Sequence, residues 1–489
     1  MLSLPFNFVE ENGVLLLEDE QGCCLAHKER ASLSALSEAY RLCLKTPRVE
    51  CLSDGEFNAR MVTFYQNESS DVLTQGLSDE LDLTSAVDAI EENTDLLESE
   101  GDAPIIRLTN AILSEAIKEN ASDIHIETFE KSMRVRFRVD GVLKEVIQPK
   151  RALAPTLVSR IKVMAKLDIA EKRVPQDGRL ELRLSGQEID VRVSTIPSTY
   201  GERVVMRLLQ KETSQLGLER LGMRTEELAT LRKLINKPNG ILLVTGPTGS
   251  GKTTTLYSAL YQLNDGKRNI MTVEDPVEYH IDGIGQTQVN EKAKMTFAAG
   301  LRAILRQDPD VVMVGEVRDK ETADISIQAS LTGHLVLSTL HTNSAAGAIT
   351  RLQDMGVEPF LISSSLVGVI AQRLVRRLCP HCKTPVNADS ETKKLLGISD
   401  EEEVVHYQPQ GCAKCFQQGY RGRLAFYEII EVDNPLKTLI HQKASEADIE
   451  KYTRKKHASL QESGLSQVLS GVTSIKEVLR VEQSMQAEE

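Results

Sequence analysis

The feature that most constrains this chain is an eight-residue stretch, Gly246-Pro247-Thr248-Gly249-Ser250-Gly251-Lys252-Thr253. It satisfies every fixed position of G-x-x-x-x-G-K-[ST], the pattern of a phosphate-binding loop. The run before it, residues 240–245, is short and apolar and predicts a buried strand. The run after it, residues 254–263, predicts a helix. A loop between such elements gathers free backbone N–H groups and the positive end of the helix dipole at one point, where an anion is favoured. Its glycines let the backbone approach phosphate oxygens closely. In that setting residues 246–253, with the adjoining Thr254, are expected to cradle the phosphates of a nucleotide. Lys252 reaches the β- and γ-phosphates, and the Thr253 hydroxyl holds Mg²⁺. The flanking strand and helix weigh against a Gly-rich turn that matches by chance.

At 489 residues the chain exceeds one ordinary core, and roughly two to four domains are expected. Its 41% hydrophobic and 26% charged residues place it among globular chains, apart from disordered or membrane-embedded ones. The net charge of −13 argues against nucleic acid as a partner. No apolar run approaches the ~20 residues that span a bilayer. Residues 1–11 carry no basic region and end in Glu10-Glu11, unlike a secretory signal, so a cytoplasmic location is expected. Four of the eight cysteines precede position 52, and four form two C-x-x-C pairs after position 378. In a reducing compartment such pairs read as metal ligands before disulfides.

Residues 1–78 read as a small separate domain, with short strands broken at Asn12-Gly13. A helix over 31–44 places Leu33, Leu36, Tyr40 and Leu44 on one face. Cys23, Cys24, Cys43 and Cys51 lack ligand spacing and read as core thiols. With no catalytic signal, the domain is by elimination a docking module. Residues 79–102 are strongly acidic, and no Lys or Arg occurs between Arg60 and Arg107, as in a solvated linker. A second domain over 103–213 opens with an amphipathic helix at 105–116 and becomes strand-rich from Ser122. Over 133–139, Arg134, Arg136 and Arg138 alternate with Val135, Phe137 and Val139, a period of two that ends in the turn Asp140-Gly141. A helix follows at 154–167, then a hairpin around Ser185-Gly186, and Arg203 and Arg207 flank the last apolar strand. The basic strand face is either solvated or aimed at polyphosphate, and both readings stand. Residues 214–235 read as a connector with Gly217 and Gly222 as flexible points, leading into a domain over 236–489.

Within that domain a strand at 269–274 ends in Glu274, Asp275 and Glu278 around Pro276. Ligands bind at the carboxyl ends of strands in open α/β sheets. A carboxylate there can orient and deprotonate water, and Glu278 is the first candidate, with Glu274 the runner-up. A surface acidic turn is the plainer alternative. The apolar strand 311–314 runs into Gly315-Glu316, a Walker B-like segment with Glu316 as the metal-linked carboxylate. A helix over 319–331 and a strand over 334–343 follow. That strand brings His341 beside the phosphate loop, as a phosphate sensor or as a structural histidine with equal weight. Arg302 and Arg306 share one helix face, solvated or at a subunit contact. Cys379, Cys382, Cys412 and Cys415 supply four thiolates for tetrahedral Zn²⁺, with a redox pair as the main rival.

These stretches together resemble the ATPases of type II secretion systems, in the superfamily that also holds type IV pilus motors. The likeness is carried by the phosphate loop, the acidic stretch 274–280, the segment 311–316 and the stretch 333–343. Ser122-Asp123-Ile124-His125-Ile126-Glu127 and residues 173–180 resemble that family's second domain. The resemblance covers 103–489 well and 1–78 only by position and length. It implies a multidomain α/β and α+β chain: a RecA-like P-loop domain with the zinc insert at 379–415, a PAS-like domain before it, and a small N-terminal docking domain. It implies ATP hydrolysis with Mg²⁺ that drives pseudopilus assembly for protein export, by a homo-oligomer, a hexamer. It implies that Arg192, Arg207 and Arg203 reach the phosphates from the second domain, and that Arg302 and Arg306 stand near a subunit contact. Residues 1–78 would dock on the cytoplasmic part of an inner-membrane secretion protein, with a polytopic platform protein as a further partner. The chain would then sit peripherally at the cytoplasmic face of the inner membrane. A pilus-extension motor is the nearest alternative, and a RecA-type nucleic-acid motor a more distant one.

Overall fold

The structure is a computed structural model that describes residues 4, 8–9, 12–19, 22–41, 43, 46–57, 60, 103–184, 187–210, 217–399 and 401–486. The acidic segment 79–102 and the turn Ser185-Gly186 lie outside the described residues. The chain divides into two units, Met1–Lys211 and Glu212–Glu489.

In the first unit, β1 (Val14–Asp19), β2 (Gly22–Lys28), α1 (Leu33–Arg41) and β3 (Arg48–Leu52) form a small sheet in the order β1-β2-β3. β1 and β2 pair antiparallel, whereas β2 and β3 pair parallel, with α1 as the crossover. The helix buries the expected face only in part: Leu36 packs against the core, and Leu44 lies outside the described residues. Ala35 and Ala39 pack with Leu15, Leu25 and Phe57, while Leu33 is 82% and Tyr40 48% exposed. Two alanines four residues apart let the helix approach a sheet face whose space is already taken by larger side chains. The expectation of core thiols holds for Cys24 alone. Cys23 and Cys43 are half-buried and Cys51 is exposed. Val163 and Ile169 join this core, so the small sheet is not packed in isolation.

The rest of the first unit holds α2 (Ala103–Lys118), β4 (Ala121–Thr128), β5 (Met133–Val139), β6 (Val142–Ile147), α3 (Ala154–Met164), β7 (Gln176–Leu184), β8 (Gln187–Ser198) and β9 (Gly201–Gln210). The strands form an antiparallel sheet, β6-β5-β4-β9-β8-β7. Strict alternation sends Ile124, Ile126, Val135, Phe137, Val191, Val193, Val204 and Met206 into one core with α2 and α3. The same alternation leaves the charged residues on the opposite face.

The second unit contains α4 (Thr225–Ile235), β10 (Gly240–Thr245), α5 (Lys252–Leu263), β11 (Ile270–Glu274), β12 (Gly285–Gln288), α6 (Phe297–Ile304), β13 (Val311–Val314), α7 (Lys320–Leu331) and β14 (Leu335–Leu340). It continues with α8 (Ala345–Asp354), α9 (Pro359–Ser365), β15 (Leu366–Leu378), β16 (Thr384–Asn387), α10 (Ser390–Leu396), β17 (Val405–Gln408) and β18 (Tyr420–Glu431). Four helices close it: α11 (Asn434–His441), α12 (Glu446–Thr453), α13 (Leu460–Leu469) and α14 (Ile475–Gln486). Seven strands form one sheet, β12-β11-β13-β14-β10-β15-β18, parallel except for the last pair. Strands β10, β13 and β14 are buried at every position, because helices cover both faces of a parallel sheet.

Residues 217–235, expected as a flexible connector, are built into this unit instead. Leu231, Leu234 and Ile235 belong to its core. The Tyr427 hydroxyl donates to the Leu221 carbonyl at 2.9 Å, and a Cβ at Gly222 would lie 2.6 Å from Leu424. The positive φ of 75° at Gly222 turns the chain here without loosening it.

Candidate active site

The phosphate loop leaves the carboxyl end of β10 and enters α5 at Lys252, two residues before the predicted start of the helix. Gly246 has φ 148°, and a Cβ there would stand 2.5 Å from the Gln372 carbonyl. Gly251 has φ 87°, and a Cβ there would stand 2.8 Å from the Gln372 amide. Neither position accepts a side chain. No side chain caps the start of α5, so its first N–H groups stay available to a ligand. Among the described residues, the buried Ser250 hydroxyl has no hydrogen-bond partner. Thr255 Oγ1 donates to Gln372 Oε1 at 2.7 Å and anchors the helix, while Thr253 and Thr254 are exposed. Lys252 is buried, and its Nζ donates to the carbonyls of Gly246 (2.7 Å) and Pro247 (3.0 Å). Burial first, then the charge of Arg373, pulls its ammonium down to about 8.

Three neighbouring strands end at this edge. Thr245 of β10 pairs with Leu340 of β14, and Ser338 of β14 with Val314 of β13. Beyond those ends, His341 Nε2 stands 3.3 Å from Glu316 Oε2, and Arg318 pairs with the other oxygen of Glu316. Burial, then the charges of Lys252 and Arg318, holds His341 below the ordinary imidazole range. This favours the neutral imidazole, which has one N–H to give. Thr245 and Thr342 share a 2.6 Å hydroxyl contact, and the Thr342 N–H donates to Thr245 Oγ1 at 2.9 Å, which ties the two strand ends together.

The two carboxylates after β11 differ in their surroundings. Glu274 is buried and accepts from Tyr257 Oη, Thr272 Oγ1 and Gln286 Nε2, so both its oxygens are engaged. Glu278 is half-buried, and its backbone N–H donates to the same Tyr257 hydroxyl at 3.3 Å. Sequence reasoning missed Tyr257 and Gln286, and it missed Gln372 and Arg373 of β15. The last pair did carry a signal: two polar residues inside an apolar run, and the strand buries both.

The arginines expected to reach phosphate stand on the polar face of the six-stranded sheet. One cross-strand row runs Arg179, Arg192, Arg207, Asp123, Arg138. Asp123 accepts from Arg207 Nε at 2.9 Å and lies 3.6 Å from Arg138. Glu127 pairs with Arg136 at 2.7 Å and with Arg203 at 2.6 Å. Of the motif residues, Asp123 thus holds Arg207 and Arg138 of this row, and Glu127 holds Arg136 and Arg203 beside it. On α6, Arg302 pairs with Glu321 at 2.7 Å; the helix ends at Ile304, so Arg306, expected on the same helix face, stands just past its end, where its Nη1 donates to the Arg302 carbonyl.

Between β15 and β18, the four late cysteines converge. Cys379 and Cys412 Sγ stand 3.9 Å apart, Cys382 and Cys415 3.8 Å, and Cys412 and Cys415 3.7 Å. These separations are too long for disulfides. They match the edges, about 3.8 Å, of a tetrahedron with metal–sulfur bonds of about 2.3 Å. Backbone N–H groups of Cys412 and Gly419 point at Cys415 Sγ, each at 3.2 Å, as suits a thiolate. The four sulfurs could hold one metal ion.

Residues 98–480 match the family model for type II/IV secretion system proteins. The chain belongs to that family. Residues 3–65 of this secretion-family chain also match the model for an N-terminal domain of GSPII protein E. Type II secretion system protein E of Pseudomonas aeruginosa is 57% identical over 480 residues, which cover 98% of this chain and 96% of that one. Type II secretion system ATPase E of Vibrio cholerae is 56% identical over 483 residues, with the same shares. Among solved structures, the pilus retraction motor PilT with bound ADP has a TM-score of 0.53 at 26% identity, over 76% of this chain and 95% of that one. The Legionella pneumophila ATPase DotB has a TM-score of 0.58 at 22% identity, over 77% and 95%, a likeness of fold. Among the described residues, no helix of this secretion-family chain is long and apolar enough to cross a membrane.

Proposed function

We propose that this chain is the ATPase of a type II secretion system, with its catalytic centre where β10, β13 and β14 end. The observation that carries this reading is the meeting of Lys252, Glu316 and His341 at that edge, around an uncapped helix start. The loop amides and Lys252 bind the β- and γ-phosphates of ATP. The Thr253 hydroxyl and Glu316 hold Mg²⁺, which when bound supplies charge neutralisation at the phosphates. Glu278 takes the proton of the attacking water as its oxygen bonds to the γ-phosphorus and ADP leaves. Glu274 holds the turn through Tyr257 and Gln286, since its oxygens are already engaged. Neutral His341 donates to the γ-phosphate and senses its loss. Arg207, Arg203 and Arg192 complete the site from the six-stranded sheet on assembly into a ring, a hexamer, with Arg302 and Arg306 at the subunit contact. Their fork and permanent charge suit phosphate oxygens.

The energy drives pseudopilus assembly. Residues 1–78 dock on the cytoplasmic part of an inner-membrane secretion protein and hold the chain at that membrane. The exposed Leu33, Tyr40 and Val49 of the small sheet domain support a docking surface there. The four cysteines hold Zn²⁺, a closed structural site. Chelation, or Cys382→Ser, is expected to release one zinc per chain and to lower the melting temperature by at least about 5 °C. Elemental analysis and a thermal melt check this; an unaltered melt after full metal release would remove the structural role.

The site itself is tested with Glu316→Gln. Turnover of ATP is expected to fall on the order of 10²-fold while the Kd for ATP changes by less than about 3-fold. An equal loss of affinity would make Glu316 a binding residue instead.

A further inference from the structure

Arg373 of β15 lies behind the phosphate loop, 2% exposed. Its Nη2 donates to the Asn343 carbonyl (3.0 Å) and to Asn343 Oδ1 (3.2 Å), and its Nη1 donates to the Gln372 carbonyl at 3.0 Å. Gly246 packs against the same guanidinium: a Cβ there would lie 3.0 Å from Nη1. One buried side chain therefore touches the first glycine of the loop and the turn that follows His341.

That turn is held at three points. Thr342 is tied to Thr245 at the end of β10. Ser344 caps α8 through the Gly347 N–H and donates to Glu446 of α12 at 2.7 Å. Asn343, between them, is gripped by Arg373 through two acceptors on one residue. A guanidinium suits this task, because its two arms act at once, Nη1 on the Gln372 carbonyl and Nη2 on both acceptors of Asn343, and it stays charged when buried. A lysine in its place would keep the charge and lose the fork.

We propose that Arg373 is a positioning residue for ATP hydrolysis, which fixes the Asn343 turn, and with it His341, against the phosphate loop and sets a permanent positive charge behind the phosphate cradle. The inference rests on the reading that loop 246–253 holds the phosphates. It assigns two separable effects to one side chain. The fork sets the position of His341 and acts on turnover. The charge favours the anion and acts on affinity.

The test uses the full chain, with steady-state ATP hydrolysis and direct ADP binding for Arg373→Lys, Arg373→Met and Asn343→Ala. Arg373→Met is expected to lose roughly tenfold or more in kcat and several-fold in ADP affinity. Arg373→Lys is expected to recover the affinity and to leave kcat low. Asn343→Ala removes the side-chain acceptor from the other side and is expected to lower kcat with ADP affinity unchanged. Combined with Arg373→Lys it adds little further loss, because the side-chain contact it removes is already lost with the guanidinium. Full kcat in Arg373→Lys, or losses in the two variants that simply add, overturns the positioning role. Wild-type ADP affinity in Arg373→Met overturns the electrostatic one. If the Arg373 variants fail to fold, Asn343→Ala alone decides the positioning role by the same split between kcat and affinity. Lys252→Ala is the control for the underlying reading: wild-type ADP binding in that variant means the loop assignment has failed, whatever Arg373 does.

Discussion

Lys252→Ala is expected to lower kcat/KM for ATP by on the order of 10³-fold and to weaken ADP binding with it. Two losses combine. The buried ammonium is the loop's own cation, so a phosphate entering the cradle loses its closest charged partner in a setting that water screens poorly. The Gly246 and Pro247 carbonyls also lose the donor that holds them, and their dipoles then turn negative ends toward the phosphate position. The same residue predicts a pH dependence. Burial and Arg373 hold the free lysine at about 8, below its ordinary 10.5, and a bound phosphate favours the protonated form. Above about pH 8 binding must therefore draw a proton from solution, and the affinity for ADP falls as pH rises, by up to about tenfold per unit. Titration calorimetry of ADP binding between pH 7 and 9 checks the sign. Wild-type turnover in Lys252→Ala would refute the loop assignment outright.

Glu278→Gln and Glu274→Gln are expected to fail in different ways. Glu278 is half-buried, so an amide there leaves the fold intact and removes the proton acceptor. The expected result is a loss of roughly 10²–10⁴ in kcat with little change in KM and an unshifted thermal midpoint. Glu274 accepts from Tyr257, Thr272 and Gln286 on both oxygens. An amide presents N–H groups to some of these donors, and the mismatch costs about 1–3 kcal/mol of stability in a buried site. Its thermal midpoint should fall, and its activity only as far as the turn is disturbed. Melting curves beside kcat for both variants separate the two roles. If Glu274→Gln keeps its midpoint and loses turnover while Glu278→Gln works normally, Glu274 is the base.

Local patterns were legible in the sequence and long-range partners were not. The phosphate loop reads directly because a tight anion-binding turn demands glycine and lysine at fixed spacing, and Gly246 and Gly251 indeed have no room for a Cβ. The central strands read as continuous apolar runs because a parallel sheet is buried on both faces. The cysteine pairs read because one metal-binding turn needs two ligands three positions apart. Periodicity, by contrast, tells which residues share a helix face and not which face turns inward, and α1 buries its alanines with Leu33 and Tyr40 outside. Residues 217–235 looked like a connector because their partner, Tyr427, lies 206 positions away from Leu221. The acidic residues of the 122–127 motif gained a role only when strand register set Asp123 beside Arg207, 84 positions on. Arg373 reaches the loop only through the pairing of β10 with β15.

The central claim is that this secretion ATPase completes its site on assembly. It is tested most directly by specific ATPase activity against protein concentration, for wild type and Arg207→Ala. Specific activity of the wild type is expected to rise with concentration and reach a plateau, with Arg207→Ala low at every concentration. A flat profile, with full activity in Arg207→Ala, would mean that each subunit works alone and that the six-stranded sheet has no part in catalysis.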